Sequence, residues 1–114
     1  MIQTKPRADS NAALLVALEG DLRGACTVVL RGLDLKVENV ADVAAAFDRI
    51  PHLQPAIVVA PDEAKAFART DLEDRAIAVG AEIVWVKYGD ERTELVAALA
   101  RAASAAADRA ARRS

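Results

Sequence analysis

At 114 residues, 54% of them hydrophobic, the chain is about one typical domain, able to build its own core without metals or disulfides. A formal charge of -2 gives no electrostatic footprint for nucleic acid as a main partner, and no apolar run reaches the ~18 residues of a membrane span. The polar opening MIQTKPRADSN lacks a signal peptide's hydrophobic region and the single Cys26 cannot form an internal bridge, so a cytoplasmic, reducing compartment is expected.

Much of the hydrophobic content is alanine and only 4% of residues are aromatic, so Phe47, Phe67 and Trp85 are the expected bulky anchors of a core rich in small side chains. Residues 1–11 hold Pro6, several charges and no periodicity, and read as a flexible lead-in. Residues 12–18, AALLVAL, form an apolar run short enough for a strand buried on both faces, ended by Glu19, Gly20 and Asp21. From Asp21 to about Leu33, Leu22, Ala25, Cys26, Val29, Leu30 and Leu33 fall on one helical face, with Cys26 a buried structural thiol and Gly32 near the stop. LKVENV, residues 35–40, alternates like an edge strand. A helix over 41–50 presents Val43, Ala46, Phe47 and Ile50 on one side, and Pro51 to Pro55 is expected to break it.

AIVVA, residues 56–60, is a second buried strand, and Pro61 and Asp62 open a helical stretch. Residues 62–80 hold one helix or two short ones, with Leu72, Ala76 and Val79 on one face and Gly80 as the stop. Residues 83–86 form the last strand. Asp90 can then cap a helix in which Leu95, Val96 and Leu99 pack inward. Beyond Arg101 the sequence AASAAADRAARRS has high helix propensity and few large apolar side chains, so residues 104–114 read as an Ala/Arg-rich helical tail, solvated and fraying. The alternation βαβαβαβα calls for a three-layer αβα sandwich around a parallel four-stranded sheet, and order 2-1-3-4 centres the two most apolar early strands. The switch point then lies between the first and third strands, beside Glu19, Asp21 and Asp62.

GAEIVWVKYGDERTEL, residues 80–95, resembles the last strand and helix of a two-component receiver domain, where a Gly-Ala ends the preceding helix and a lysine ends the strand. KVENVADVAAAFDRI followed by QPAIVVAP is similar to the receiver's second strand, second helix and third strand, and LLVALEGDLR to its first strand and acidic loop. The resemblance spans residues 12–103 and implies a flavodoxin-like fold, here one βα unit short. It also implies where chemistry should sit: an acidic pair for magnesium after the first strand, a phosphoacceptor aspartate ending the third, a hydroxyl residue after the fourth and a lysine after the fifth. On this chain the acidic pair falls on Ala17 and Leu18, or with a slipped register on Leu18 and Glu19, and the phosphoacceptor position is Pro61. Lys87 remains as the vestige of a phosphoryl contact, Tyr88 replaces the usual proline after it, and the aromatic switch position is Val84. A phosphoryl site needs a nucleophilic carboxylate, a metal and a cation, so neither phosphotransfer, nor any other catalysis, nor a cofactor is expected.

The expectation is a non-phosphorylatable pseudo-receiver in bacterial-type signalling that binds a protein partner, with a homodimer one option. The resemblance implies a contact surface on the last strand and its flanking helix, so Trp85, Tyr88, Asp90 and Leu95, with the helix from Asp90 to Arg101, are the expected contacts. A second resemblance, to a Toprim domain, competes: Glu19-Gly20 after one strand and Asp62-Glu63-Ala64 after another imply a magnesium-dependent nucleic-acid-processing domain or its inactive remnant, with Glu19 and Asp62 as ligands. The first aspartate of that family's acidic pair is Ala60 here. Glu19, Asp21 and Asp62 also fit plain loop and helix-start roles, and Lys87 that of a solvated strand-end lysine. His52 has no second His or Cys to complete a triad or metal site, and Arg101, Arg109, Arg112 and Arg113 read as a solubilising face.

Overall fold

The computed structural model describes residues 11–113, so the lead-in expected over 1–11 lies, apart from Asn11, outside the described residues. In chain order come β1 (Ala12–Val16), α1 (Gly20–Gly32), β2 (Lys36–Val40), α2 (Val43–Leu53), β3 (Ile57–Pro61), a 3-10 turn (Asp62–Ala64), α3 (Lys65–Ala78), β4 (Glu82–Val86) and α4 (Arg92–Arg113). The strands form one parallel sheet in the order β2-β1-β3-β4.

All five residues of β1 and all five of β3 are buried, which explains why neither strand alternates with polar residues: helices cover both faces. The two-residue strand period sorts the side chains into two layers. Ala13, Leu15, Ile57 and Val59 face α1 and α4, meeting Leu22, Cys26, Leu30, Leu95 and Leu99. Leu14, Val16, Val58 and Ala60 face α2 and α3, meeting Ala46, Ile50, Ala68, Leu72 and Ala76. Alanine lets the helices sit close to the sheet, so Phe47 and Trp85 only half fill their positions on the α2/α3 side.

Two helix stops differ in mechanism. Gly80 (φ 77°) ends α3 as expected, with the Ala81 N–H donating back to the Ala76 carbonyl at 2.8 Å. After α1 the left-handed position is Asp34 (φ 65°) rather than Gly32, and the Leu35 N–H returns to the Leu30 carbonyl at 3.1 Å. Aspartate tolerates that conformation better than most side chains.

Several expectations need correction. α2 does not break at Pro51 but runs to Leu53 and ends at Gln54 (φ 49°), whose N–H reaches the Ile50 carbonyl at 2.8 Å. Proline forfeits its own N–H, and the burial of Ile50 and half-burial of Leu53 on the sheet side hold the extra turn. Residues 62–80 contain the 3-10 turn and then one helix. Phe67 is no core anchor: it is 73% exposed, because Ala68, Leu72 and Ala76 occupy the inner face of α3. Val96 is turned out by one helical step from Leu95 and is 40% exposed. The tail is not a solvated appendage either. α4 continues unbroken to Arg113, Ala102 and Ala106 are buried in the α1 side of the core, and Arg109 is tied to β4. A boundary at residue 103 therefore cuts through a docked helix.

Candidate functional site

The carboxyl ends of the strands bring together the loop after β1, the 3-10 turn after β3 and the turn after β4. That last turn is closed twice: the Asp90 N–H donates to the Lys87 carbonyl at 3.1 Å, and the Lys87 N–H donates to the Asp90 carboxylate at 2.9 Å. Gly89 (φ 96°) supplies the left-handed residue the reversal requires. Asp90, expected to cap the final helix, instead closes the turn before it, and α4 opens with the Leu95 N–H on the Glu91 carbonyl at 3.0 Å.

The turn leaves Tyr88 52% exposed with its hydroxyl directed at the first loop, where it accepts the Glu19 N–H at 3.2 Å. Two loops 69 residues apart are thus joined by one side chain. Lys87 is exposed at the strand end, and its ammonium has no ion pair among the described residues. Asp62, a ligand in the Toprim-like reading, is engaged by Lys65 at 3.2 Å, and the same ammonium lies 5.7 Å from the centre of the Trp85 ring. The Trp85 indole N–H is buried without a hydrogen-bond partner. Among the described residues no group of three or more His, Cys, Asp or Glu side chains is placed to hold a metal ion.

Of the positions that the receiver resemblance assigns to its carboxylates, only Glu19, reached in the slipped register, carries one. Ala17 takes a left-handed conformation (φ 57°) and donates its N–H to the Val40 carbonyl at 3.0 Å. Leu18 is turned into the α1/α4 core at 4% exposure. Pro61 is buried at the end of β3, opposite Val86, and Val84 packs toward the α1/α4 side. Glu19 and Asp21 are exposed, Asp21 in the first turn of α1.

Of the surface residues singled out, Leu95 is misplaced. It is 3% exposed and packs with Leu99, Ala102 and Ala106 along the inner stripe of α4, so it belongs to the core. Tyr88 is the open member of that set, while Trp85 and Asp90 are half-buried. Cys26 is fully buried and desolvation, with the charge of Asp90 nearby, pushes its thiol up to about 11, leaving it protonated and inert. His52 is exposed, with Nδ1 3.0 Å from the Asp48 carbonyl.

Three connections have no counterpart in local sequence pattern: Tyr88 to Glu19, Arg109 to Glu82 and the Gly80 carbonyl, and the two-pronged Arg49–Glu38 pair that ties α2 to β2. The hydrogen bonds from Arg49 lower the Glu38 carboxyl below its usual range. Nothing periodic marks such pairs; each exists because the fold brings distant residues together.

No known family profile matches the chain, and no curated protein matches its sequence. Among solved structures it is similar to the response regulator (signal receiver domain) from Bermanella marisrubri, with a TM-score of 0.53 and 14% identity over 82% of this chain and 98% of that one. The likeness establishes a receiver-like, flavodoxin-like α/β fold. β4 lies directly against β3, the slot that a 2-1-3-4-5 sheet gives its fourth strand, although residues 80–95 resemble the receiver's fifth strand and last helix.

Proposed function

We propose that this chain is a non-phosphorylatable pseudo-receiver, a receiver-like module of bacterial-type, two-component signalling that acts by binding protein rather than by phosphoryl transfer. One observation carries the reading: on a receiver-like fold, the phosphoacceptor position is the buried Pro61 and the acidic-pair position is Ala17 and the core residue Leu18. Without a nucleophilic carboxylate there is no phosphoryl acceptor, and without paired acids there is little to neutralise charge through magnesium. Lys87 is then a vestige. Its neighbour Tyr88 and the outward residues of α4, Val96 among them, offer the contact surface. The buried, unpaired thiol of Cys26 suits a reducing compartment, and we place the module in the cytoplasm. The test is incubation of the full chain with acetyl phosphate and magnesium, followed by intact mass and Trp85 emission. No phosphoryl adduct and no emission change are expected. An adduct on any carboxylate would overturn the reading.

A further inference from the structure

We propose that the outer edge of β4 pairs antiparallel with β4 of a second copy about a two-fold axis at Val84, joining two four-stranded sheets into one. This deepens the protein-binding reading, on which it rests, by naming the partner. The two edges of the sheet are built differently. β2, at one edge, carries Lys36, Glu38 and Asn39, with Glu38 held by Arg49, and such charges blunt an edge against pairing. β4, at the other, runs Ile83-Val84-Trp85-Val86 with no charge after Glu82, the composition that edge strands ordinarily avoid.

The backbone then selects a register. The Glu82 N–H donates to the Ala56 carbonyl at 2.8 Å, so Glu82, Val84 and Val86 turn their amides toward β3. Ile83 and Trp85 turn theirs outward. Beyond them the edge is already closed, by the Arg109 guanidinium on the Gly80 carbonyl at one end and by the Lys87–Asp90 turn at the other. The outward groups of Ile83 and Trp85 lie symmetrically about Val84. A two-fold axis there sets Ile83 opposite the second copy's Trp85 and Trp85 opposite its Ile83, so the outward N–H and C=O groups of both residues are paired. Each is a β-branched/aromatic cross-strand pair, a favourable kind.

Charge supports the same occupant. α4 packs over β4 and β3 and runs antiparallel to β4, as Arg109 beside Glu82 shows. Asp90 and Glu91 just before it and Glu94 in its first turn outweigh Arg92 at its start, and Arg109 and Arg112 outweigh Asp108 near its end. The two-fold axis lays two copies of α4 side by side in opposite directions, acidic start toward basic end, on both sides of the axis. A closed, isologous interface results, and the β2 edges left at the two ends of the joined sheet carry the charges that discourage further pairing.

The experiment uses the full chain. Sedimentation should give a dimer that dissociates on dilution, and Ile83→Pro, which removes one outward N–H and leaves the β3 ladder whole, should sediment as a monomer with an unchanged helical spectrum. Under mild oxidation Val84→Cys should cross-link at least tenfold faster than Ile83→Cys or Trp85→Cys alone, while those two variants mixed should cross-link to each other. Cys26, buried and protonated, stays silent. A native chain that sediments as a monomer, or a Val84→Cys variant that cross-links no faster than Ile83→Cys, overturns the pairing. Either result leaves the phosphodonor test above untouched, so loss of the dimer and loss of the pseudo-receiver reading are told apart.

Discussion

Leu95→Ala and Val96→Ala, made separately, test the turn phase of α4 with neighbouring residues. Leu95 is 3% exposed and Val96 40% exposed, so a one-residue step changes the cost sharply. Truncating Leu95 removes about three methylene-sized groups, ~2.4 kcal/mol at ~0.8 kcal/mol each, and the remaining cavity raises this to ~3 kcal/mol, within the ~2–5 typical of buried leucines. Truncating Val96 removes half-wet surface and trades a β-branched residue for the best helix former, so its net cost stays below ~0.5 kcal/mol. With a urea slope of ~1.5 kcal/mol per molar, Leu95→Ala lowers the unfolding midpoint by ~2 M and Val96→Ala by less than ~0.4 M, read by the helical circular dichroism signal. Equal shifts, or a larger one at Val96, would refute the placement of Leu95 in the core and return it to the surface.

Cys26 should resist thiol reagents in the native protein at pH 8 and react fully on unfolding. Its folded value is raised from 9.0 to about 11, so the unfolded thiol ionises first; the contribution of Cys26 to stability is flat below pH 9 and declines as pH rises toward 11, a slope that Cys26→Ala should remove in midpoints measured at pH 8 and 10. Ending the chain after Ala103 should also destabilise it. The cut deletes the buried Ala106 methyl, about 0.8 kcal/mol, together with the half-exposed Arg109–Glu82 pair and the Arg109 bond to Gly80, together about 1 kcal/mol. A thermal midpoint unchanged by the truncation would restore residues 104–114 to a solvated tail.

The sheet was legible because its strands are short, apolar and separated by helical periods. AALLV and IVVAP could only be central, and the parallel connections then left few orders. Failures concentrated where a local rule met tertiary packing. Pro51 obeys a breaker rule in isolation, yet Ile50 and Leu53 are worth another turn when α3 lies beside them. Phe67 is large, but α3 needs alanine at its sheet face, so size did not decide burial. The alanine-rich end of α4 lacked large side chains and looked solvated; alanine is what permits its close approach. At the site, the missing carboxylates were readable from position, whereas the Tyr88–Glu19 bridge was not, since no sequence period relates residues so far apart.

The position of β1 at the sheet's interior also governs how the chain assembles. Ala12–Val16 precedes the other strands in the chain, so one flank must wait for Lys36–Val40 and the other for Ile57–Val59. Until then five consecutive apolar residues have no cover on either face and an open ladder on each side. The first half of the chain therefore cannot form a stable kernel alone. Commitment to the native state comes only when the third strand slots in beside β1, after which β4 and α4 can add to a surface already in place.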